Sequence, residues 1–302
     1  MEPSVTGIPT VSVVIPYHND ADTIERAVQS VLAQSFTDFE LLIVDDGSED
    51  QLIGPIGDSA AHGVRVIRHE TNRGAAAARN SGIKQSKGRY VAFLDADDSW
   101  RPNKLARQLE ALGNAEAGVA ACVSGFALHR EGTGNVEIHD RALQDSTIEE
   151  LLWGCPYSPG STMICDRQCF DTVGLFDEGL RRLEDWDWLL RFAAEYRLVH
   201  LSGVWADIYL SAKPPATHLS DVLHAVGLIH DRHLGTASRL GSIRRRIFLS
   251  ALEVEKAAAH YRSGDKFASI LIVLRSLVIW PFRNFRFFRR LVECLPRAPG
   301  RR

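Results

Sequence analysis

The sequence predicts an α/β fold, with a mainly parallel sheet covered by helices on both faces and a helical C-terminal extension. Short aliphatic and β-branched runs alternate with amphipathic helical segments. Polar clusters directly follow three of the strand-like runs, at Tyr17–Asp20, Asp45–Ser48 and Asp95–Asp98. Such alternation favours parallel strands, whose carboxyl ends meet along one edge of the sheet, where ligands bind.

Each element is predicted from its own local pattern. VSVVI at 11–15 is a buried strand that stops at Pro16, because proline cannot donate a ladder hydrogen bond. After Asn19 and Asp20, apolar residues recur at spacings of three and four, which marks one face of a helix. The other predicted elements are strands at 39–44, 64–67, 90–94 and 119–128, and helices that begin near Gly74, open at Pro102, span 183–196 and cover the chain from 221 onward.

Size and composition indicate a globular protein. The 302 residues, of which 45% are hydrophobic and 24% charged, are enough for one large domain plus an appendage. The five cysteines lack paired short spacings, and the first ten residues lack the basic start and apolar stretch of a secretory signal. We therefore expect a cytoplasmic protein. No run reaches the roughly 20 apolar residues of a membrane-spanning helix.

The formal charge of −3 is unevenly distributed along the chain. Residues 221–302 hold 16 Lys and Arg against 6 Asp and Glu, a balance of +10, which leaves −13 for residues 1–220. We therefore expect an acidic main domain at 1–220 and a basic helical extension at 221–302. An apolar stripe followed by FRNFRFFRRL is typical of a helix on an anionic membrane, although a helix docked on the main domain would share this pattern. Nothing indicates a nucleic-acid partner.

The clearest chemical motif is DADD at 95–98, directly after the strand-like run YVAFL. Asp95 and Asp97 project to the same side, because side chains of an extended segment alternate. Two carboxylates aimed at one point repel each other unless a cation lies between them, and Mg²⁺ is typically held by carboxylates together with substrate phosphates. An isolated DxD is more often a solvated turn. Its place after a buried strand favours a Mn²⁺ or Mg²⁺ site instead.

Two further polar segments have both a chemical and a structural interpretation. In DDGS at 45–48, Asp46 has oxygens for the N–H edge of a base or a ribose hydroxyl, while Gly47 supplies the turn. In TNRGAAAARNSG, Arg73 and Arg79 suit phosphate, as does a helix amino terminus. A plain turn and a tightly packed small-residue helix explain the same residues without a ligand.

EDWDW at 184–188 gathers acids at the start of a predicted helix. Glu184 and Asp185 could reach a substrate, although compensation of the helix dipole also favours acids there. Trp186 is either a core anchor or a surface on which an acceptor sugar ring stacks. The first strand is not followed by G-x-G-x-x-G, which argues against a protein that binds a dinucleotide cofactor. The chain also lacks G-x-x-x-x-G-K-[ST], which argues against a P-loop ATPase.

Taken in order, VSVVIPYHN, VLAQSFTDFELLIVDDGS, TNRGAAAARNSG, GRYVAFLDADD and LEDWDW resemble glycosyltransferase family 2, whose catalytic domain has the GT-A fold. The resemblance covers about residues 10–210. It implies transfer of a sugar, with inversion, from a nucleotide-diphosphate sugar, expected to be UDP-linked, to a saccharide or lipid-linked acceptor hydroxyl. Synthesis of a cell-surface polysaccharide or glycolipid is the implied context.

The resemblance also implies roles for individual residues. Asp185 matches the family's catalytic base, with Glu184 orienting the acceptor or the base. Asp97 and Asp95 match its metal ligands. The residues implied to bind the nucleotide sugar are Pro16, Tyr17, Asn19, Asp46, Asn72, Arg79, Asp95 and Asp97.

One segment departs from the family's pattern. Relatives carry a Tyr-Arg-x-His sequence after the acidic helix, whereas this chain has IYLSAKPPATHLS, in which Tyr209 fits but Leu210 replaces the arginine. His218 and Lys213 are therefore the candidates for a third metal or diphosphate contact. The rival interpretations are a nucleotidyltransferase and a non-catalytic nucleotide-sugar binding protein.

Overall fold

The computed structural model describes residues 7–50, 64–132, 134–140, 148–210 and 218–283. Internal contacts divide the chain into two units. The first consists of Met1–Leu151 and Cys155–Ala216, and the second of Leu152–Gly154 and Thr217–Arg302. The first unit holds the sheet, and long helices make up the described part of the second.

The first unit begins with alternating strands and helices, as the hydrophobic pattern predicts. Its strands are β1 (Val11–Tyr17), β2 (Phe39–Asp45), β3 (Val64–Arg68), β4 (Tyr90–Phe93), β5 (Ser99–Trp100), β6 (Val119–Arg130), β7 (Asn135–His139), β8 (Ile164–Asp166) and β9 (Arg197–Leu210). Its helices are α1 (Ala21–Leu32), α2 (Ala75–Gln85), α3 (Lys104–Gly113), α4 (Ile148–Leu151), α5 (Pro159–Thr162), α6 (Cys169–Val173) and α7 (Glu184–Phe192).

The strands form one sheet in the order β3-β2-β1-β4-β8-β6-β9-β5, with β7 paired to β6. β1 is parallel to both β2 and β4, and β2 is parallel to β3. β8 runs antiparallel to its neighbours β4 and β6, while β6 and β9 pair in parallel. The predicted α/β class is confirmed. The parallel half brings the ends of β1, β2 and β4, which precede the three polar clusters, to one edge.

The core explains why these segments fold as they do. β1 and β2 are buried along nearly their whole length, as expected for parallel strands covered on both faces. α1 buries Ile24, Ala27, Val28 and Val31, the stripe that its periodicity predicts, in the same cluster as β1 and β2. The buried residues of α2 include Ala76, Ala77, Ala78 and Gly82, whose small side chains leave room for close packing on the sheet.

Several boundaries differ from the sequence prediction. α3 begins at Lys104 rather than at Pro102, whose carbonyl instead accepts a hydrogen bond from the Ser35 amide at 2.8 Å. α7 ends at Phe192 instead of continuing to Tyr196. The long strand β9 has no alternating pattern of apolar and polar residues, and it was not predicted.

The second unit contains α8 (Leu219–Arg239), α9 (Ser242–Arg262) and α10 (Lys266–Ile279), followed by one 3₁₀ turn at Pro281–Arg283. These helices agree with the helical prediction from 221 onward, and residues 284–302 of that prediction lie outside the described residues. Across the ranges described, no helix has both the length and the apolar character needed to cross a membrane.

Gly82 allows α2 to lie against β1. A Cβ at this position would lie 2.9 Å from Val14 Cγ2 and closer still to Val14 Cγ1. We expect Gly82→Ala to lower the free energy of unfolding by about 1–3 kcal/mol, the usual effect of overpacking a core. Gly113→Ala is the control, because a Cβ there meets nothing within 4 Å. Urea unfolding measures both, and equal effects would contradict this account of the packing.

Candidate active site

The loops after β1 and β2 are joined by reciprocal hydrogen bonds. The Asn19 amide donates to Ser48 Oγ at 3.1 Å, and the Glu49 amide donates to Asn19 Oδ1 at 2.9 Å. Asn19 adopts a φ of 56°, a left-handed conformation that asparagine tolerates better than most residues. The predicted nucleotide-binding residue Asn19 therefore holds the DDGS loop in place.

Asp46 is buried and anchors the start of α2. Its carboxylate accepts hydrogen bonds from the Arg73 amide at 3.0 Å and the Gly74 amide at 2.6 Å, and His69 Nδ1 lies 2.6 Å from Oδ1. Gly47 has a φ of 71°, and a Cβ there would lie 2.5 Å from the carbonyl carbon of Thr71. The DDGS loop thus fixes the Arg73 segment, and a contact between Asp46 and a base stays a prediction.

Three further residues predicted to bind the nucleotide lie near the carboxyl ends of the strands, namely Pro16, Tyr17 and Asn72. Pro16 and Tyr17 end β1, and the Tyr17 ring is buried. Burial raises the pKa of Tyr17, and the nearby Asp50 carboxylate raises it further. Asn72 Oδ1 accepts a hydrogen bond from Arg181 at 3.1 Å.

Arg79 connects the DADD segment to the acidic helix. Its Nη2 donates to Asp95 Oδ1 and its Nη1 to Glu184 Oε1, each at 2.7 Å, and its side chain is only 7% exposed. Burial alone would lower the pKa of Arg79, but the charges of Asp95 and Glu184 outweigh it and raise the pKa. One guanidinium therefore holds together two acidic segments that are about 90 residues apart in sequence.

The DADD segment is fixed by contacts that the sequence did not reveal. The Asp95 amide donates to Ser161 Oγ at 3.1 Å, and Ser161 Oγ also donates a short hydrogen bond to Asp98. The buried Asp98 carboxylate accepts from the Tyr209 amide at 3.0 Å as well. Asp98 is thus a structural link between three elements, whereas Asp95 and Asp97 keep carboxylate oxygens for other ligands.

Crowding among these acids changes their proton affinity. Desolvation raises the pKa of Asp97 to about 6, and the charges of Asp95 and Asp20 contribute. Desolvation and the charges of Asp95 and Asp97 raise the pKa of Asp98 as well. Such mutual repulsion is what a bound cation would relieve.

Arg26 also supports this loop, a role that no sequence motif indicated. Its guanidinium donates a short hydrogen bond to the Asp97 carbonyl and lies 3.7 Å from the centroid of the Tyr209 ring. Tyr209 also stacks with His129, with centroids 4.7 Å apart. No local pattern could have paired residues from α1 and β9.

Asp185 lies in the first turn of α7, where its Oδ1 accepts a hydrogen bond from the Trp186 amide at 2.7 Å. Desolvation and the neighbouring Glu184 charge raise the pKa of Asp185 to about 7, while Arg79 acts in the opposite direction. A carboxyl group whose pKa is near neutrality can accept a proton and later release it.

The expectation that Trp186 contacts the acceptor is wrong. Its side chain is 1% exposed, and its indole N–H donates to the Leu151 carbonyl at 2.8 Å. A ring enclosed by protein on both faces cannot stack on a sugar. The alternative interpretation, a core anchor beneath the acidic helix, is the one that the structure supports.

The third metal or diphosphate contact stays a prediction. Lys213 lies outside the described residues. His218 is exposed at the N-cap position of α8, and it belongs to the second unit.

A cavity of about 170 Å³ lies away from all these motifs. It is lined by residues at the amino ends of β4 and β6, such as Tyr90 and Val119, together with Asp166. In parallel sheets ligands bind at the carboxyl edge instead. The acidic group bridged by Arg79 is therefore the better candidate site.

The sequence profile of glycosyl transferase family 2 matches residues 12–174, more than half of the chain. The chain belongs to this family. The match begins in β1 and includes the DDGS, Arg79 and DADD segments. It follows that the protein is a glycosyltransferase.

Individual relatives agree with this assignment. The putative teichuronic acid biosynthesis glycosyltransferase TuaG of Bacillus subtilis (strain 168) is 34% identical over 211 residues, 64% of this chain and 81% of TuaG. The UDP-Glc:alpha-D-GlcNAc-diphosphoundecaprenol beta-1,3-glucosyltransferase WfgD of Escherichia coli is 38% identical over 99 residues. That match spans 33% of this chain and 39% of WfgD, so it concerns only part of the enzyme.

The fold resembles a solved glycosyltransferase structure. The mannosyltransferase PcManGT from Pyrobaculum calidifontis, in complex with GDP-Man and Mn²⁺, aligns with a TM-score of 0.60 over 96% of this chain and 86% of PcManGT. The sequences are 19% identical. The predicted Rossmann-like fold with flanking helices is thereby confirmed.

Replacing Arg79 should destabilise the first unit. Arg79→Met leaves Asp95 and Glu184 without their common cation, so we expect the free energy of unfolding to fall by about 2–4 kcal/mol. The loss should be smaller than for a fully buried ion pair, because solvent screens the partly exposed Asp95. Arg73→Met is the control, since Arg73 pairs with Glu178 in an exposed ion pair and should change it by under about 1 kcal/mol. Similar losses in urea unfolding would contradict the bridging role.

Proposed function

We propose that this chain transfers one sugar, with inversion, from a nucleotide-diphosphate sugar to an acceptor hydroxyl. The Arg79 bridge is the observation that carries the proposal, since it joins Asp95 to Glu184, the neighbour of Asp185. Donor and acceptor must meet within a few ångströms for reaction. The acids that serve each of them therefore have to lie close together, and the common ion pairs of Asp95 and Glu184 with Arg79 support this.

Asp95 and Asp97 fit Mn²⁺ or Mg²⁺ by their chemistry. Carboxylate oxygens are the ligands that these ions prefer. Desolvation raises the pKa of Asp97, and the charges of Asp95 and Asp20 add a repulsion that a cation would relieve. Within the described ranges, no group of three or more His, Cys, Asp and Glu side chains is arranged to hold a metal. Further ligands would come from the donor diphosphate and water, as is usual for Mg²⁺. Asp95 and Asp97 would hold such an ion, which would supply positive charge to stabilise the departing diphosphate.

Asp185 acts as the general base in this proposal. An alcohol is a poor nucleophile, so Asp185 accepts the hydroxyl proton as the oxygen attacks the anomeric carbon from the face opposite the nucleotide. Glu184, held by Arg79, orients the acceptor or the base. One displacement inverts the carbon, and unlike a retaining glycosidase this scheme needs no second carboxylate as a covalent nucleophile.

The relatives support a donor and an acceptor class. WfgD is named for transfer from UDP-Glc to a diphosphoundecaprenol-linked sugar, and TuaG for teichuronic acid biosynthesis. PcManGT was solved with GDP-Man and Mn²⁺. We therefore propose a UDP-linked donor, a saccharide or lipid-linked acceptor, and a role in cell-surface polysaccharide or glycolipid synthesis.

Substitutions of the two acids should separate chemistry from donor binding. We expect Asp185→Asn to lower kcat by at least about 10²-fold, the contribution typical of a general base, and to leave UDP-sugar affinity nearly unchanged. Asp97→Ala should instead abolish Mn²⁺-dependent UDP binding. Mass spectrometry of products from a panel of nucleotide sugars and calorimetry of UDP binding measure these effects.

The exposed Glu195, just beyond α7, provides the control as Glu195→Gln. Equal kcat values for wild type and Asp185→Asn would contradict the assignment of Asp185 as the general base. Release of pyrophosphate from a nucleoside triphosphate would favour the nucleotidyltransferase alternative.

The pH dependence of kcat should report the ionisation of Asp185. A base works in its ionised form, so kcat should rise about tenfold per pH unit below about pH 7 and level off above it. Glu184→Gln removes a negative charge that raises the pKa of Asp185, so the midpoint of its pH profile should move to lower pH. A profile that is flat from pH 5 to 8 would contradict the assignment.

A further inference from the structure

α10 turns its serines inward and most of its large apolar side chains outward, the reverse of the usual arrangement of a helix in water. Its buried face contains Ser269 and Ser276, both fully buried, and Val273. Ser276 Oγ lies 2.9 Å from Ser250 Oγ, and Ser269 Oγ donates to the Ala257 carbonyl at 2.8 Å. Small hydrogen-bonded side chains therefore pack α10 onto α9.

Large apolar side chains cover the opposite side of α10, which we name the outer face. Residues advance by 100° each along an α-helix, so positions three, four and seven apart share one side. The two most exposed members within the helix are Phe267, at 73%, and Val278, at 79%. The outer face consists of Phe267, Ile270, Leu271, Leu274 and Val278, and the exposed Phe282 follows it in sequence.

A contiguous apolar face of this kind indicates a binding surface. Single exposed apolar side chains are common on soluble proteins, but a continuous stripe rarely remains in contact with water. Packing within the second unit cannot cover the stripe, because α10 already uses its serine side for α9.

The charges around the stripe indicate the partner. By the same helical geometry, Lys266 and Arg275 lie at its two borders, and Arg275 is largely exposed. The segment 221–302 carries the +10 balance, with further arginines following Pro281 in sequence. An anionic phospholipid bilayer offers both features at once, since its acyl region accepts apolar side chains and its headgroups attract cations. A second copy of this chain would bring like charges together instead.

We propose that the outer face of α10 binds the surface of an anionic phospholipid bilayer, with the helix lying in the plane of the interface. Its 14 residues rise about 21 Å, too short to cross the hydrocarbon core of about 30 Å. The lipid contact does not depend on the proposed reaction. It would keep the enzyme at a surface that also holds any lipid-linked acceptor.

Vesicle sedimentation of the full chain tests this proposal. We expect wild type to sediment with phosphatidylcholine vesicles that contain phosphatidylglycerol, and far less with phosphatidylcholine alone. The variant Phe267→Ser/Leu271→Gln/Leu274→Gln should lose at least about tenfold in partitioning, because each replaced side chain inserts apolar area. Lys266→Glu/Arg275→Glu should lose most of the preference for anionic vesicles.

The matched control replaces three exposed apolar residues elsewhere in the same unit, as Leu223→Gln/Leu240→Gln/Ile243→Gln, and should sediment like wild type. Circular dichroism verifies that each variant is folded. Equal sedimentation of wild type and the α10 variant, or no sedimentation of wild type, would overturn the proposal. The proposal would also be overturned if light scattering showed that wild type is a dimer and the α10 variant a monomer, because the outer face would then bind a second copy of the chain. Sugar transfer need not be measured, so failure here is distinguishable from failure of the proposed function.

Discussion

The candidate site depends on one buried cation shared by two acidic segments. Arg79 lies within about 3 Å of both Asp95 and Glu184, and none of the three side chains is fully exposed to water. The buried Arg79 guanidinium alone would be unfavourable in this setting, since a buried charge without a partner is strongly destabilising. The two carboxylates compensate its charge, and its planar fork fixes their relative position. The acids after β4 and the acids that open α7 therefore become one chemical unit.

The surrounding structure keeps this bridge in place. α2, which carries Arg79, lies close to the sheet because Gly82 faces Val14. The start of α2 is held by Asp46, and the DADD segment is held by Ser161 and the Tyr209 amide through Asp98. The acids of the site thus divide into two kinds. Asp46 and Asp98 are buried and hold neighbouring segments in place through hydrogen bonds, whereas Asp97 and Asp185 are more accessible and keep carboxylate oxygens available for chemistry.

Hydrophobic periodicity correctly predicted several strands and helices of the fold. The runs of β1, β2 and β4 and the stripe of α1 were found because hydrophobic periodicity determines these elements directly. β5 and β8 were missed because segments of two or three residues show no periodicity. β7, which pairs with β6 outside the main strand order, was missed as well. The motif acids were found by their positions after strands. Their partners were not, because Ser161 and Tyr209 meet Asp98 across 63 and 111 residues of sequence. Trp186 shows the same limit, since no sequence distinguishes a buried ring from a stacking one.

The same limit explains why α10 could be interpreted only with a structure. The period of its apolar residues identifies a stripe, and an apolar stripe is normally the side that a helix buries. Here the hydrogen bonds of Ser250, Ser269 and Ser276 assign the serine side to the protein, so the stripe faces outward. A helix that satisfies its polar side chains internally leaves its apolar side to an external partner. Its bordering cations then select a partner that is both apolar and anionic, which is the physical description of a charged bilayer surface.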